Sequence, residues 1–429
     1  MSRLAWMLLA VGSILSCGFV ACAADRERDA TSRRGGAKAD WPQWRGPRRD
    51  DISGETGLLK KWPDRGPVRR WLVEDLGKGY SGPAIAEGRL YIMGTDGQFK
   101  NELLFCFNAE TGRKLWSVPI GEMLQNRWGD GPRATPTIDG DRVYTLGGQG
   151  VLLCVDAASG KTIWKKHLVE DFGGRRPNWG YTESVLIDGE QLVCSPGAGD
   201  AAVVALNKHT GATIWSCGEM EKAVHYSSII RIESPPTYVK LTVSEVVGLD
   251  TQTGDVRWRV EFPGRTAVIP TPVYGDGHIF VTAGYGAGCK LIRVEGGRAK
   301  EVYANKNMKN HHGGVLLLDG RIYGYSDGGG WMCLDLQSGD IVWKERKALP
   351  KGAVTYADGR LYCLGERRGT VVLAGASPDG WKEFGRFVLE PQSKIRSPSG
   401  RIWTHPVVSN GKLYLRDQEY LYCYDVAAP

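Results

Sequence analysis

LLCVDAASGKTIW, residues 152–164, reads as two β-strands around a tight turn: an apolar run to Val155, a polar Asp156 to Gly160 corner, and a second run ending on Trp164. The unit recurs as LFCFNAETGRKLW at 104–116, VVALNKHTGATIW at 203–215, EVVGLDTQTGDVRW at 245–258 and WMCLDLQSGDIVW at 331–343. Each copy places a Trp four residues after a Gly, as in Gly112 and Trp116 or Gly339 and Trp343. Two degenerate copies fill the gaps. KLIRVEGGRAKEVY (290–303) puts Tyr303 in the Trp place, and ASPDGWKEF (376–384) puts Phe384 there.

A second element precedes each hairpin and occurs eight times, from GPAIAEGRLYIMG at 82–94 to HPVVSNGKLYLRD at 405–417. Apolar and β-branched residues alternate along it, and Asp-Gly or Asn-Gly pairs mark turns that need positive φ. Four strands per unit, repeated every 40 to 50 residues or so, specify a propeller. The expected fold is therefore all-β, an eight-bladed β-propeller of four-stranded antiparallel blades over residues 40–429. The last unit ends at YLYCYDVAAP without its Gly and Trp strand. GPVRRWLVEDLG (66–77) supplies one, with Trp71 in the outer-strand place, so that the N-terminal strand closes the ring and leaves no open edge.

The first residues differ in kind. MSRLAWMLLAVGSILSCGFVACAAD has one early cation, an apolar run from Leu4 to Val20 and small residues at Ala21 and Ala23. That is the pattern of a signal peptide over 1–23, too short for a stable membrane span. A lipid-modified Cys17 or Cys22 is the alternative, disfavoured by the bulky Phe19 nearby. Residues 24–39 lack large apolar side chains and read as a disordered linker. The chain is expected to be exported to the periplasm or cell envelope, lipid-anchored if the alternative holds, and to act as a monomer. A net charge of +7 from scattered Lys and Arg is too mild and mixed for a nucleic-acid partner.

Of 10 cysteines, two fall in the signal. Cys106, Cys154, Cys333 and Cys423 recur at one repeat position, which favours buried thiols over bridges. Cys194 with Cys217 is the one disulfide left open.

The Ser/Thr-Gly-x-x-x-Trp units resemble pyrrolo-quinoline quinone (PQQ) repeat propellers, a group that includes quinoprotein dehydrogenases and the non-enzymatic propeller lipoprotein of outer-membrane protein assembly. More narrowly, DWPQWRGPRRDDISGETGLLKKWP, NWGYTESVLIDGEQLVC, NMKNHHGG and HPVVSNGKLYLRDQ are similar to exported PQQ-binding-like propellers of planctomycete-type bacteria. The resemblance spans Asp40 to Asp425; it is specific for fold and poor for activity.

In such a propeller the residues just before each inner strand rim one mouth of the channel. That place holds Tyr80, Arg133, Tyr181 with Glu183, His225 with Tyr226, Ile269, His311 with His312, Lys351, and Trp403 with His405. Aromatic, histidine and basic side chains at one concavity suit a flat, anionic or polyhydroxylated ligand. Alternation along a strand would let only one of His311 and His312, taken as His312, face it. The dehydrogenase reading implies PQQ with Ca²⁺ held by clustered oxygens, and an adjacent cysteine pair that this chain lacks. The expectation is a non-enzymatic binding or assembly scaffold, its partner an envelope protein or a small-molecule ligand, with no catalytic or metal residues assigned and Trp41, Trp44 and Trp62 pinning the N-terminal segment to the ring.

Overall fold

The computed structural model describes residues 39–220 and 226–429, so the signal, nearly all of the linker, and His225 lie outside the described residues. Eight blades of four antiparallel strands follow around the ring, the seventh extended to five by a short parallel strand from the N-terminal segment. Blade 1 runs through Ala84–Ala86, Arg89–Thr95, Asn101–Asn108 and Lys114–Glu122, and blades 2 to 7 repeat that order. First strands of neighbouring blades approach one another and line the channel. Second and third strands, such as Arg142–Leu146 and Val151–Asp156, are buried almost throughout, because blades cover both of their faces; the fourth strands are half-exposed. Among the described residues one short helix, Leu168–Phe172, interrupts the β-pattern between blades 2 and 3.

Blade 8 is assembled from both ends of the chain. Val68–Val73 pairs antiparallel with Tyr420–Asp425, with Trp71 opposite Cys423. That is the register of Trp116 opposite Cys106, Trp164 opposite Cys154 and Trp343 opposite Cys333. Tyr303, opposite Leu291, holds the same place in blade 5.

The spacing of Gly and Trp is the interlock between blades. A Cβ on Gly112 would lie 2.7 Å from the Trp71 ring, one on Gly160 2.7 Å from Trp116, and one on Gly254 2.4 Å from Trp215. Each repeat glycine thus seats the aromatic ring of the preceding blade, and no side chain fits there. These glycines also sit at positive φ, 70° for Gly112 and 74° for Gly160, closing turns in which Asn108 or Asp156 accepts backbone N–H groups. The indole often adds a bond into the next blade: Trp164 Nε1 donates to the Lys208 carbonyl at 2.9 Å and Trp343 Nε1 to that of Ser377 at 2.8 Å.

Blade 7 departs from expectation. Phe384 is the residue skipped by a bulge, and the Trp place opposite Leu373 falls on Gly385. Trp62 fills the hole from outside the repeat: a Cβ on Gly385 would lie 2.6 Å from the Trp62 Cβ, and the indole packs 5.9 Å from Tyr362 and 5.3 Å from Phe387. Spacing alone misassigned Phe384: every blade has this bulge, but the blade-7 turn is longer, Gly375 N–H closing on the Lys382 carbonyl where Asp156 closes on Lys161, so the aromatic place lies five residues after Gly380 rather than four.

The segment before Trp62 closes the channel. Trp41 exchanges two 2.8 Å backbone bonds with Ile85 of blade 1, and the Pro42 carbonyl accepts from Ile138 of blade 2. Arg49 donates to the Ser184 and Val185 carbonyls of blade 3, and Arg45 to those of Thr271 and Val315 in blades 5 and 6. Ile52–Ser53 runs parallel to Gly352–Ala357 of blade 7, and Asp51 meets His405 of blade 8 at 3.2 Å. Arg45, Arg49 and Asp51 all take left-handed φ, near 60°. Each costs about 1–2 kcal/mol relative to ordinary backbone, a strain held by the buried Arg45–Asp51 ion pair at 2.6 Å and these carbonyl bonds.

The described cysteines are buried and unbridged. Cys194 and Cys217 sit on strands either side of Val203–Asn207, so a full strand separates them and the open pairing is ruled out.

Candidate functional site

At one mouth the blade approaches and the loops between second and third strands enclose a cavity of about 230 Å³. Its floor is the channel segment, through Trp44 and Arg45. Trp44 Nε1 donates to Thr271 Oγ1 at 3.0 Å, and its ring lies 4.6 Å from that of His405. The wall is mostly aromatic. Tyr80 stands 5.2 Å from Trp403, Trp179 meets Tyr226 edge-on at 5.7 Å, and Tyr285 meets His311 edge-on at 4.7 Å. Trp128 forms the lip, 37% exposed.

Both His311 and His312 line this cavity, contrary to the alternation argument. They lie in a bend ahead of Val315–Leu318, where Gly314 has φ 71°, and alternation holds only inside a strand. His312 Nε2 lies 2.8 Å from Glu366, whose carboxylate also accepts from Trp403 Nε1 at 3.1 Å. A carboxylate only accepts, so Nε2 carries the hydrogen and Nδ1 is left as a buried acceptor with no partner. His311 Nδ1 lies 2.6 Å from Lys351 Nζ, which only donates; the neutral ring therefore keeps its hydrogen on Nε2. Burial, then His312 and Lys351, pull His311 down to about 3, and burial also lowers His312. Both rings are neutral near pH 7. Glu366 stays below its usual range because its bonds with His312, helped by Lys351, outweigh burial. His405 is occupied on both nitrogens, by Asp51 at 3.2 Å and the His312 carbonyl at 2.9 Å.

Arg133 enters through the wall. Its Nε donates to the Trp179 carbonyl and one Nη to that of Gly129, both at 2.7 Å, and the guanidinium lies 5.2 Å from the Tyr80 ring centre. Burial lowers its pKa. Among the described residues no carboxylate lies within ion-pair distance of it.

Of the residues named for the rim, Tyr80, Arg133, Tyr226, Ile269, His311, His312, Trp403 and His405 line this cavity. Lys351 supports His311 from behind and pairs with Asp327 at 2.8 Å. Tyr181 and Glu183 are corrections. Tyr181 is 3% exposed, packed between blades 2 and 3 with its hydroxyl on the Pro196 carbonyl at 2.9 Å. Glu183, also 3% exposed, faces the buried Lys240 at 3.4 Å. Thr182, four residues before Leu186–Asp188, holds the place that Tyr80 holds before Ala84–Ala86 and Arg133 before Thr137–Asp139, and it faces the cavity together with Trp179; Tyr181 and Glu183 are its buried neighbours, one residue out of that register. Trp128, Trp179, Tyr285 and Glu366 escaped the rim reading. The first two were signalled by a Trp-Gly pair shortly before an inner strand, in NRWGDGPR and RPNWGY.

The sequence profile of the family described as outer membrane protein assembly factor BamB matches residues 100–345, more than half of the chain. The chain belongs to that family. It is 23% identical over 330 residues to the assembly factor BamB of Yersinia pestis, covering 73% of this chain and 78% of the relative. It is 26% identical over 211 residues to that of Kangiella koreensis, covering 47% and 48%, so it spans about half of that relative. Among solved structures it is similar to quinohemoprotein alcohol dehydrogenase from Comamonas testosteroni, with TM-score 0.65, 12% identity and 92% and 82% of the chains covered. A europium-containing methanol dehydrogenase gives TM-score 0.64 at 11% identity, over 90% and 91%. At these identities the likeness is one of fold.

PQQ with a hard cation does not fit these residues. Among the described residues no three His, Cys, Asp or Glu side chains converge on a point a metal could occupy. Glu366 is bonded to His312 and Trp403, and Asp327 to Lys351, which leaves the clustered oxygens such an ion needs unavailable.

Proposed function

We propose that this protein is a non-enzymatic binding propeller of the cell envelope, exported by its N-terminal signal, that holds a ligand or partner at the aromatic mouth. One observation carries the reading: the channel is stopped from within by its own N-terminal segment, which turns a through-pore into a blind, aromatic-walled cup. Stacking surface with a few fixed polar groups is the composition of a recognition site. The likeness to outer membrane protein assembly factors supports a role in bringing envelope components together. No helix among the described residues is long and apolar enough to cross a membrane.

The test places a photoreactive side chain at Trp128, on the lip, in living cells. A discrete cross-linked product that disappears when Tyr80 and Trp403 are both replaced by Ala supports the reading. Stoichiometric uptake of PQQ with Ca²⁺ and alcohol-dependent dye reduction by the purified protein would overturn it.

A further inference from the structure

The cup has an imbalance of charge. Arg45 and Arg133 are the charged side chains that line it, besides the histidines. Arg45 is neutralised by Asp51 at 2.6 Å. Arg133 is hydrogen-bonded only to carbonyl oxygens and lies on the face of Tyr80; the Glu102 and Asp130 carboxylates act on it from beyond ion-pair distance, and its second Nη has no hydrogen-bond partner among the described residues. A guanidinium drawn out of water is ordinarily matched by an anion, and its two-nitrogen edge fits a carboxylate.

The other unused groups are neutral. His311 offers Nε2–H, Trp128 and Trp179 keep free indole N–H groups, and the Tyr285 hydroxyl has no bonding partner among the described residues. A phenyl ring would leave all of these unmet, whereas ring hydroxyls would meet them. A volume of about 230 Å³ is below the roughly 300–1,000 Å³ of drug-sized sites. It admits one ring, with the remainder of a chain leaving past Trp128.

We infer that the cup binds the end of an acidic polysaccharide, seating one hexuronate residue with its carboxylate on Arg133, its apolar face on Tyr80 and Trp403, and its hydroxyls on His311 and Trp179. This rests on the mouth being the binding site, as proposed above.

The experiment titrates the full chain, by tryptophan fluorescence and calorimetry, with short oligomers of galacturonate, glucuronate, mannuronate and guluronate, each against its neutral hexose counterpart. At least one acidic oligomer should bind saturably, and its neutral partner should bind about ten- to a hundredfold more weakly, the range for losing a charge-assisted bond. Arg133→Gln should erase that preference. Trp403→Ala should weaken both sugars in parallel and leave their ratio unchanged. Equal binding of acidic and neutral oligomers, a preference that survives Arg133→Gln, or no binding of any acidic oligomer overturns the inference. Tight binding that ignores both Trp403→Ala and Trp128→Ala would instead show that the mouth is not the site. Trp128, exposed at the lip, is the variant safest for folding.

Discussion

Replacing Trp62 by Ala tests whether the seventh blade depends on a side chain supplied from outside its own sheet. Trp62 is 2% exposed and fills the space left by Gly385, against Tyr362 and Phe387. A buried indole removes about 150–250 Å² from water, worth roughly 4–6 kcal/mol at about 25 cal/mol per Å². Partial collapse of the hole brings the expected loss to about 3–5 kcal/mol, the range for large aromatic-to-Ala changes in cores. Trp62→Phe should cost far less than Ala: it keeps a ring, and the indole N–H it removes is buried without a partner. Guanidinium unfolding followed by far-ultraviolet circular dichroism should show the Ala midpoint falling with little change in slope. A loss for Trp62→Ala below about 1 kcal/mol, the typical effect of an ordinary substitution, would refute the interlock argument.

Asp51→Ala should cost about 3–5 kcal/mol because it strands Arg45 in the channel, measured by the same unfolding assay. Since Arg45 and His405 hold the Asp51 carboxyl below 3.8, its contribution is present above that value and is lost as pH falls through the lower folded value; the variant should lose that acid-limb dependence. Glu102 has the opposite sign. Burial raises it from 4.5 to about 7, so the native state is favoured below 4.5 and loses this advantage as pH rises through about 7. At about 1.4 kcal/mol per pH unit the effect is at most roughly 3 kcal/mol, and Glu102→Gln should flatten melting temperature between pH 4.5 and 7; an unchanged profile counts against it. The eight described thiols should resist alkylation until the protein unfolds, with Cys106 and Cys289 each pushed up to about 11 by burial; rapid native labelling of any of them contradicts their placement.

Repetition made the ring legible. A Gly and an aromatic four residues apart encode a contact between successive blades, so the pattern that names the strand also names its neighbour, and Trp71 could be assigned to the last blade from position alone. Phe384 shows where this fails: a longer turn moves the aromatic place one residue further from its glycine, onto Gly385, and Trp62 lies more than 300 residues before the gap it fills. The mouth was half visible. Histidines and aromatics ahead of inner strands came together, yet Tyr181 and Glu183 are buried on either side of Thr182, which stands four residues before its inner strand as Tyr80 and Arg133 do before theirs; a slip of one residue in an approach exchanges a rim side chain for a buried one. Tyr285 and Glu366 were out of reach for another reason: they come from strand-two to strand-three loops, which rim-by-approach reasoning does not sample.

The arm that stops the channel also sets the order of assembly. Residues 41–73 precede all eight blades' inner strands in the chain, but Asp51 pairs with His405, 354 residues downstream, and Trp71 stands opposite Cys423. Blades 1 to 6 are each built from contacts local to the chain, whereas the arm bonds to blades 1, 2, 3, 5 and 6 and completes its contacts only with blades 7 and 8. The closing contacts, Val68–Val73 on Tyr420–Asp425 and Asp51 on His405, join segments of very high sequence separation, and we expect them to form last and slowly. Until they do, the ring stands open at a strand edge and along its bore. A circularly permuted chain that begins at Tyr80 and carries residues 40–79 after Pro429 would place the arm beside its partners in time as well as space, and should refold faster than the natural order.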